Sequence, residues 1–230
     1  MSSRLQCRSR GLTLVEVLVG VAIIMTLLAI SVPAVNRALN TARVRDAAVQ
    51  YANLLQTARS RAIADDRFYS VYVQPAAGNN PPIAYVDIYP QVNNGTSGLG
   101  APPTGHYNAG PPSDPSSNLS GRVSIQPAAG APNTAGLRAL FCAACVPAQI
   151  FNTAGAIAPS WGPDGMPCQA RPSLDGTGTV CNASGGPTAY VTYFQSTVSG
   201  EWSAVTVTPA GRVKAWLYSP GAGGGLWAPQ

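Results

Sequence analysis

The chain has 230 residues, a formal net charge of +5, five Cys and a single His. Only 10% of its residues are charged, against about 25% in an ordinary soluble domain, which argues against a nucleic-acid-coating protein or a charged disordered tail. Gly and Pro make up about one residue in five, so a mostly helical globule is not expected. A single His excludes a multi-His metal centre.

The chain begins with a basic segment that is followed by a long apolar run. Three Arg residues precede Gly11, and Glu16 is the only ionisable residue between residues 12 and 36. As a helix, residues 17–36 would be about 30 Å long, which matches the hydrocarbon core of a bilayer. We therefore expect a transmembrane helix over residues 12–36, with a cytoplasmic N-terminus and the rest of the chain outside the cytoplasm.

A cleaved secretory signal peptide is the alternative interpretation of this segment. The apolar region of such a peptide usually spans about 7–15 residues and ends at a small-x-small site. The run in this chain is longer and has Glu16 near its start. A lipoprotein signal at Cys7 is excluded, because the few residues before it contain no apolar run.

Glu16 is the unusual residue of the apolar segment. A carboxylate deep in a bilayer costs about 2.5–3.5 kcal/mol or more, so an acidic residue in such a segment is a functional candidate. A position near the helix end lowers that cost, because the side chain can then reach the interface.

The order of these features resembles the class III signal of type IV pilins and type II secretion pseudopilins. It comprises Arg-Ser-Arg-Gly at residues 8–11, Leu-Thr-Leu-Val-Glu at residues 12–16 and the apolar helix. The resemblance implies that a prepilin peptidase removes residues 1–11 by cutting after Gly11, and that Leu12 is then methylated. It also implies that Glu16 pairs with the α-amino group of a neighbouring subunit in a filament and sets the axial register. Leu12 departs from the family, which usually has Phe there.

Residues 37–66 are predicted to continue the helix in amphipathic form. Pro33 removes one backbone donor and is expected to kink the helix without ending it. Asp65 and Asp66 are unfavourable near a helix C-terminus, so one helix of about 55 residues should end there. Five Arg residues between residues 37 and 61 decorate its other faces, where they are solvated or contact anionic headgroups. Apolar residues at steps of three and four predict the buried face: Ala48, Tyr51, Leu54, Leu55, Ala58, Ala62 and Ile63.

The rest of the chain, residues 67–230, changes to a period of two. Short β-branched and aromatic segments predict strands at residues 68–74, 83–89, 122–126, 149–152, 189–197, 203–208 and 212–218. Pro209 and Gly211 predict a tight turn between the last two. Residues 75–136 are rich in Gly and Pro and predict a long exposed loop around one or two short strands. The expected fold class is α+β, with the long helix packed on a small antiparallel, β-sandwich-like domain.

The body of the chain resembles the GspH/FimT family of minor pseudopilins. The resemblance lies in the helix text at residues 51–63, in Gly211-Arg212-Val213 before the last strand, and more weakly in residues 151–155. It implies a pilin-like fold and a position near the tip of a periplasmic pseudopilus or pilus.

Four of the five Cys residues lie in the predicted periplasmic domain, where disulfides persist, and Cys7 lies in the leader. We expect one bridge between Cys168 and Cys181 and another between Cys142 and Cys145, although four Cys allow three pairings. Loss of the longer bridge would cost about 2–4 kcal/mol. A zinc site lacks a second Cys-x-x-Cys and a nearby His, and a redox-active Cys142-Ala-Ala-Cys145 lacks a thioredoxin-like context.

No enzyme motif stands out. The sequence has no nucleophile elbow, P-loop or dinucleotide fingerprint. His106 is expected to be a solvated loop residue, and Asp164 and Asp175 are expected to be turn residues. We expect neither an enzyme nor a bound cofactor or metal.

Two functions fit these features. The first is a minor pseudopilin of a type II secretion system, a single-pass protein of the bacterial inner membrane with a periplasmic C-terminal domain. Its partners would be prepilin peptidase, other pseudopilins and secreted proteins. The alternative is a minor pilin of a type IV pilus, in which Arg212 and Lys214 on one strand face touch DNA phosphates. Residues 68–230 carry five positive and five negative charges, so the excess of positive charge lies in the leader and the helix.

Overall fold

One helix of 52 residues, α1 (Leu14–Asp65), begins the part of the chain that the structure describes. The structure is a computed structural model that describes residues 14–74, 82–88, 115–126, 128–143, 148–149, 159–168, 170–172, 179–181, 188–221 and 225–230. The predicted helix is confirmed over these residues, and it continues through Pro33 as expected. Residues 12 and 13 lie outside the described ranges, and the predicted kink at Pro33 stays a prediction.

The end of α1 is formed by an acidic residue in a left-handed conformation. Asp66 has φ 51°, and the backbone N–H of Arg67 donates to the carbonyl of Ala62 at 3.2 Å. This six-to-one hydrogen bond around a left-handed residue is the Schellman arrangement. Asp65 accepts a hydrogen bond of 2.6 Å from the Tyr69 hydroxyl, so the first strand holds the carboxylate that the helix dipole disfavours.

The chain divides into two units, residues 1–39 and residues 40–230. Unit 1 contains, in its described part, only the first half of α1. Unit 2 contains the second half of α1, a second helix and the described strands. The second helix, α2 (Thr134–Phe141), follows a short 3₁₀ turn at Ala128–Gly130.

The described strands of unit 2 form two sheets and a separate two-stranded ribbon. The first sheet has the order β3-β2-β1-β6-β7, and its strands are β1 (Tyr69–Gln74), β2 (Ile83–Ile88), β3 (Ser116–Asn118), β6 (Ser160–Trp161) and β7 (Pro167–Cys168). The second sheet has the order β13-β12-β11-β10-β4, and β5 also pairs with β10. Its strands are β4 (Val123–Gln126), β5 (Ala148–Gln149), β10 (Tyr190–Ser196), β11 (Trp202–Val207), β12 (Val213–Ser219) and β13 (Leu226–Pro229). The ribbon pairs β8 (Ala170–Pro172) with β9 (Thr179–Cys181).

The described strand pairs are antiparallel, as predicted, except that β5 runs parallel to β10. Six of the seven predicted strands appear within about one residue of their expected bounds, as β1, β2, β4, β10, β11 and β12. The strand predicted at residues 149–152 overlaps β5, and residues 150–152 lie outside the described ranges.

Residues 75–136 contain more regular secondary structure than the expected exposed loop with one or two short strands. Its described parts contain β2, β3, β4, the 3₁₀ turn and the start of α2. The polar sequence Ser-Ser-Asn of β3 has no apolar alternation, and eight residues of α2 are too few for a clear helical period. Pairing with β2 and packing against the second sheet therefore decide these elements.

The main core lies between the second half of α1 and both sheets. Val44, Tyr51, Leu55 and Ala58 of α1 are almost completely buried, and Tyr51 meets Phe194 of β10 edge to face at 5.4 Å. Each fully buried large apolar side chain contributes about 1.5–3 kcal/mol. The predicted helix face is confirmed except at Ile63, which is half exposed.

A second cluster covers the opposite face of the second sheet. Leu137 of α2 packs there with Val191 and Tyr193 of β10, whereas Tyr190 and Phe194 belong to the main core. This alternation along β10 is the period of two seen in the sequence. The second sheet is therefore buried on both faces, between α1 and α2.

Candidate functional site

The first half of α1 is apolar on all sides and exposed. It contains the one helix segment in the described residues that is long and apolar enough to cross a membrane, with a window of mean hydropathy 2.6 of which 0% is buried. Ile23, Ile24 and Met25 follow one another around the helix, about 100° apart, and each is more than half exposed. Such a surface is stable in lipid or against an apolar partner.

The hydroxyl groups within this segment are hydrogen-bonded inside the helix. The Thr26 hydroxyl donates to the carbonyl of Ile23, and the Ser31 hydroxyl donates to that of Leu27, both at 2.7 Å. Because these donors are paired within the helix, neither needs water, which suits a lipid environment.

Glu16 lies in the first turn of α1, and its side chain is exposed. A carboxylate in the first turn interacts favourably with the positive end of the helix dipole. Gly11 and Leu12 lie outside the described residues. Cleavage after Gly11, methylation of Leu12 and pairing of Glu16 with a neighbouring α-amino group therefore stay predictions.

Arg212 and Lys214 are both exposed at the start of β12. Arg212 directly precedes the strand, and its backbone N–H donates to the Thr208 hydroxyl at 3.1 Å. The Lys214 ammonium lies over the Trp216 ring, 5.5 Å from its centroid. A role of the two cations in binding DNA stays a prediction.

The predicted turn before β12 is confirmed and involves a residue that the sequence analysis did not single out. The Gly211 N–H donates to the Thr208 carbonyl at 2.8 Å, and Gly211 has φ 77°. Arg59 of α1 donates to the Gly211 carbonyl at 3.0 Å and lies over the Trp161 ring at 5.7 Å. Arg59 belongs to the helix sequence at residues 51–63 that resembles the GspH/FimT family. Its two contacts connect α1 to both sheets.

Two of the cysteines, Cys142 and Cys168, are disulfide-bonded. Cys145 lies outside the described residues, so the bridge between Cys142 and Cys145 stays a prediction. The ribbon register places Cys181 opposite Ala170, and the bridge between Cys168 and Cys181 stays a prediction.

Some of the remaining candidate residues lie in the described part of the chain, and others lie outside it. Asp164 is a turn residue as expected, because its carboxylate accepts a hydrogen bond of 3.0 Å from the Met166 N–H. His106 and Asp175 lie outside the described residues, as does the segment at residues 151–155. Among the described residues there is no group of three His, Cys, Asp or Glu side chains that could hold a metal ion.

Comparison with known proteins places one family motif on the candidate site. Residues 7–32 match the prokaryotic N-terminal methylation motif, which covers the expected cleavage position, Glu16 and the apolar residues of α1 as far as residue 32. No curated protein and no solved structure matches the chain. The matched motif and the exposed apolar helix support a type IV pilin-like or pseudopilin class, a prepilin-processed protein that is anchored by one N-terminal helix and assembles with other pilins.

Proposed function

We propose that the chain is a minor pseudopilin of the GspH/FimT type in a type II secretion system, inserted near the tip of the pseudopilus to support protein export. The observation that carries the proposal is the methylation motif at residues 7–32 on an exposed apolar helix that leads into an α+β domain. We propose a structural role and not a catalytic one for the two-sheet domain.

The proposed mechanism uses the charges at the N-terminal end of the apolar segment. The basic leader retains the N-terminus in the cytoplasm, so residues 40–230 would fold in the periplasm. Cleavage after Gly11 then creates a cationic amine on Leu12. In a filament this amine meets the Glu16 carboxylate of a neighbouring subunit, so that a cation and an anion pair within an apolar environment. Prepilin peptidase, other pseudopilins and the inner membrane are the implied partners, together with secreted proteins.

Processing is tested by the mass of the mature N-terminus. The full chain is produced with a prepilin peptidase, and intact-mass and N-terminal peptide spectra are compared for Gly11→Val and Gly20→Val. We expect the parent chain and Gly20→Val to lose residues 1–11 and to gain one methyl group on Leu12. Gly20 is a matched control, because a side chain there meets nothing within 4 Å. An intact Met1 in the parent chain, or cleavage near Ala34, would refute the proposal.

Assembly is tested by replacing the acidic residue. We expect Glu16→Ala to be processed normally but to be lost from sheared filaments, and Val19→Ala on the same exposed segment to be retained. Normal incorporation of Glu16→Ala would contradict the register role.

Loss of export of a reporter protein in a deletion strain, without loss of pili, would favour the secretion assignment.

A minor pilin of a type IV pilus is the second candidate. The exposure of Arg212 and Lys214, two residues apart at the start of β12, favours it, because two neighbouring cations can contact successive phosphates. The test is retention of duplex DNA by the full chain in detergent at rising salt. Loss of binding in Arg212→Ala/Lys214→Ala, with binding preserved in Arg138→Ala, would favour a DNA-uptake role. Absence of binding at low salt would exclude it.

A further inference from the structure

Three segments of unit 2 are hydrogen-bonded to one another near residue 40, the first residue of the unit. They are residues 40–45 of α1, the tip of the β10–β11 hairpin at residues 197–201, and the turn at residues 120–122 before β4. We name the surface that they form the neck surface. The Thr41 hydroxyl donates to the Glu201 carboxylate at 2.6 Å, and the Ser203 hydroxyl donates to the Val44 carbonyl at 3.1 Å. These bonds attach the hairpin to the helix.

The turn is attached to the hairpin in the same way. The Thr197 N–H and the Thr197 hydroxyl both donate to the Arg122 carbonyl, at 2.9 and 3.1 Å. Because these bonds use the backbone of Arg122, its side chain is not needed for them, and it is exposed. The three segments therefore form one connected surface.

The exposed groups of the neck surface combine cations with one apolar tip. Arg45 and Arg122 are exposed, and Val198 at the hairpin tip is 60% exposed. Arg43 is half-buried and donates to the Asn40 side chain at 3.3 Å.

The nearby acidic groups are already hydrogen-bonded. The Glu201 carboxylate accepts from Thr41 and, at 3.2 Å, from the Ser199 hydroxyl, and Asp46 accepts from Gln50 at 2.6 Å. Hydrogen bonds from neutral donors leave both carboxylates charged, so the neck surface and its immediate neighbours combine three Arg side chains with two acidic ones.

The chain length between the apolar run and the neck surface is short. The uncharged run ends at Asn36, five residues before Thr41 and nine before Arg45, so the helix rises about 7.5 Å to Thr41 and about 13.5 Å to Arg45. The headgroup layer on each side of a bilayer is about 5–7 Å thick. Extended Arg side chains on the neck surface can therefore reach lipid phosphates when the apolar run spans the membrane.

We propose that the neck surface rests on the anionic phospholipid headgroups before the subunit enters a filament. Arg45 and Arg122 contact lipid phosphates, and Val198 inserts at the boundary between headgroups and acyl chains. The inference rests on the membrane anchoring in the proposed function and extends it, because it assigns a lipid-binding surface to the folded domain.

The test places a fluorescent probe at the two ends of strand β11. The full chain with Cys7→Ser carries Val198→Cys at one end, or Ala210→Cys in the exposed turn at the other end. Each variant is labelled with an environment-sensitive dye and reconstituted in phosphatidylcholine vesicles with or without phosphatidylglycerol. Quenching by a lipid with a spin-labelled headgroup is then measured, and labelling of the Cys7→Ser parent supplies the background.

We expect the dye at position 198 to be quenched several-fold more than the dye at position 210 in the anionic vesicles. Arg45→Glu/Arg122→Glu should remove most of this difference, and Arg45→Lys/Arg122→Lys should keep it. Equal quenching at the two positions would overturn the inference. Quenching at position 198 that is unchanged by charge reversal, or equally strong without phosphatidylglycerol, would also overturn it.

Flotation of the vesicles separates this inference from the proposed function. A chain that floats with the vesicles but shows no excess quenching at position 198 contradicts the neck surface alone. A chain that does not float contradicts the membrane anchor, and with it both proposals. Thermal unfolding of each charge variant checks that the domain remains folded.

Discussion

Gly200 and Gly211 occupy equivalent backbone positions with different surroundings. Each closes a hairpin of the second sheet in a left-handed conformation, with φ 70° and 77°. An added Cβ at Gly200 meets nothing within 4 Å, whereas at Gly211 it meets the Arg59 guanidinium at 3.1 Å and the Trp161 ring at 3.2 Å. Comparing substitutions at the two glycines therefore separates the cost of backbone strain from the cost of steric crowding.

We predict that Gly211→Ala destabilises the protein more than Gly200→Ala. A left-handed Ala costs about 1–2 kcal/mol at either position. Crowding against Arg59 and Trp161 should add about 1–3 kcal/mol at Gly211 alone. Urea unfolding of the two variants measures the difference in the free energy of unfolding. Equal destabilisation would show that Arg59 can move to make room for the added methyl group.

Ionisation of the Tyr193 hydroxyl makes the stability of the folded protein depend on pH in the alkaline range. Burial raises the pKa of Tyr193 to about 12, and burial also raises the pKa of Tyr51. Between pH 10 and 12 the unfolded chain loses the Tyr193 proton while the folded chain keeps it, so ionisation favours unfolding. The stability linked to this group is present below pH 10 and is lost as the pH rises toward 12.

We predict that Tyr193→Phe weakens the loss of stability above pH 10. Tyr51 keeps its own contribution, so part of the pH dependence should remain. Urea midpoints at pH 8 and pH 11 measure the change for the parent and the variant. An unchanged difference between the two pH values would contradict the burial of the Tyr193 hydroxyl.

At the scale of elements, α2 is held by the strand at the C-terminal end of the chain. The Asn133 side chain caps α2 by accepting from the Gly136 N–H at 3.1 Å and also donates to the Gly225 carbonyl at 3.0 Å. Trp227 of β13 donates to the carbonyls of Pro132 and Asn133. These contacts lie between sequence positions more than 90 residues apart.

We predict that Asn133→Ala costs about 1–2 kcal/mol, because it removes the helix cap and the bond to Gly225. Asn133→Asp keeps the capping oxygen and loses only the amide donor, so it should cost less. Hydrogen exchange of residues 134–141 should rise more in Asn133→Ala. A larger effect of Asn133→Asp would show that the bond to Gly225 dominates.

At the scale of the whole molecule, α1 changes role along its length while its backbone stays helical. Its first half presents apolar side chains that are exposed, and its second half supplies one wall of the core of unit 2. Three fully buried side chains, Val44, Tyr51 and Leu55, together contribute about 5–9 kcal/mol. That amount is comparable to the whole stability of a typical domain, about 5–15 kcal/mol.

We predict that residues 40–230 fold without the apolar segment and that residues 68–230 do not. The longer fragment keeps the helix face that fills the core, and the shorter one leaves both sheets without it. Near-ultraviolet circular dichroism and cooperative urea unfolding distinguish the two outcomes. A cooperative transition in the 68–230 fragment would show that the sheets form a core of their own.

Much of the fold followed from local patterns. The end of α1 at Asp65 and the turn at Gly211 were predicted because acidic residues oppose the helix dipole and Pro-Ala-Gly favours a turn. The β-branched and aromatic residues of β10 predicted a strand, and the structure shows that it is buried on both faces. Strand β13 was missed because Pro229 argues against a strand, although Pro is tolerated at the edge of a sheet. Strands β6 and β7 have two residues each, too few for any period.

The sequence by itself determined the apolar helix, its amphipathic continuation and the processing motif, because hydrophobic period, charge placement and motif spacing are properties of neighbouring residues. Only the tertiary structure decided which long-range partners meet. It brought Arg59 to Gly211 and Trp161, Thr41 to Glu201, and Arg122 beside the tip at Val198. These contacts depend on sheet order and on packing between residues far apart in the chain, and the neck surface exists because that packing brings three separate segments together.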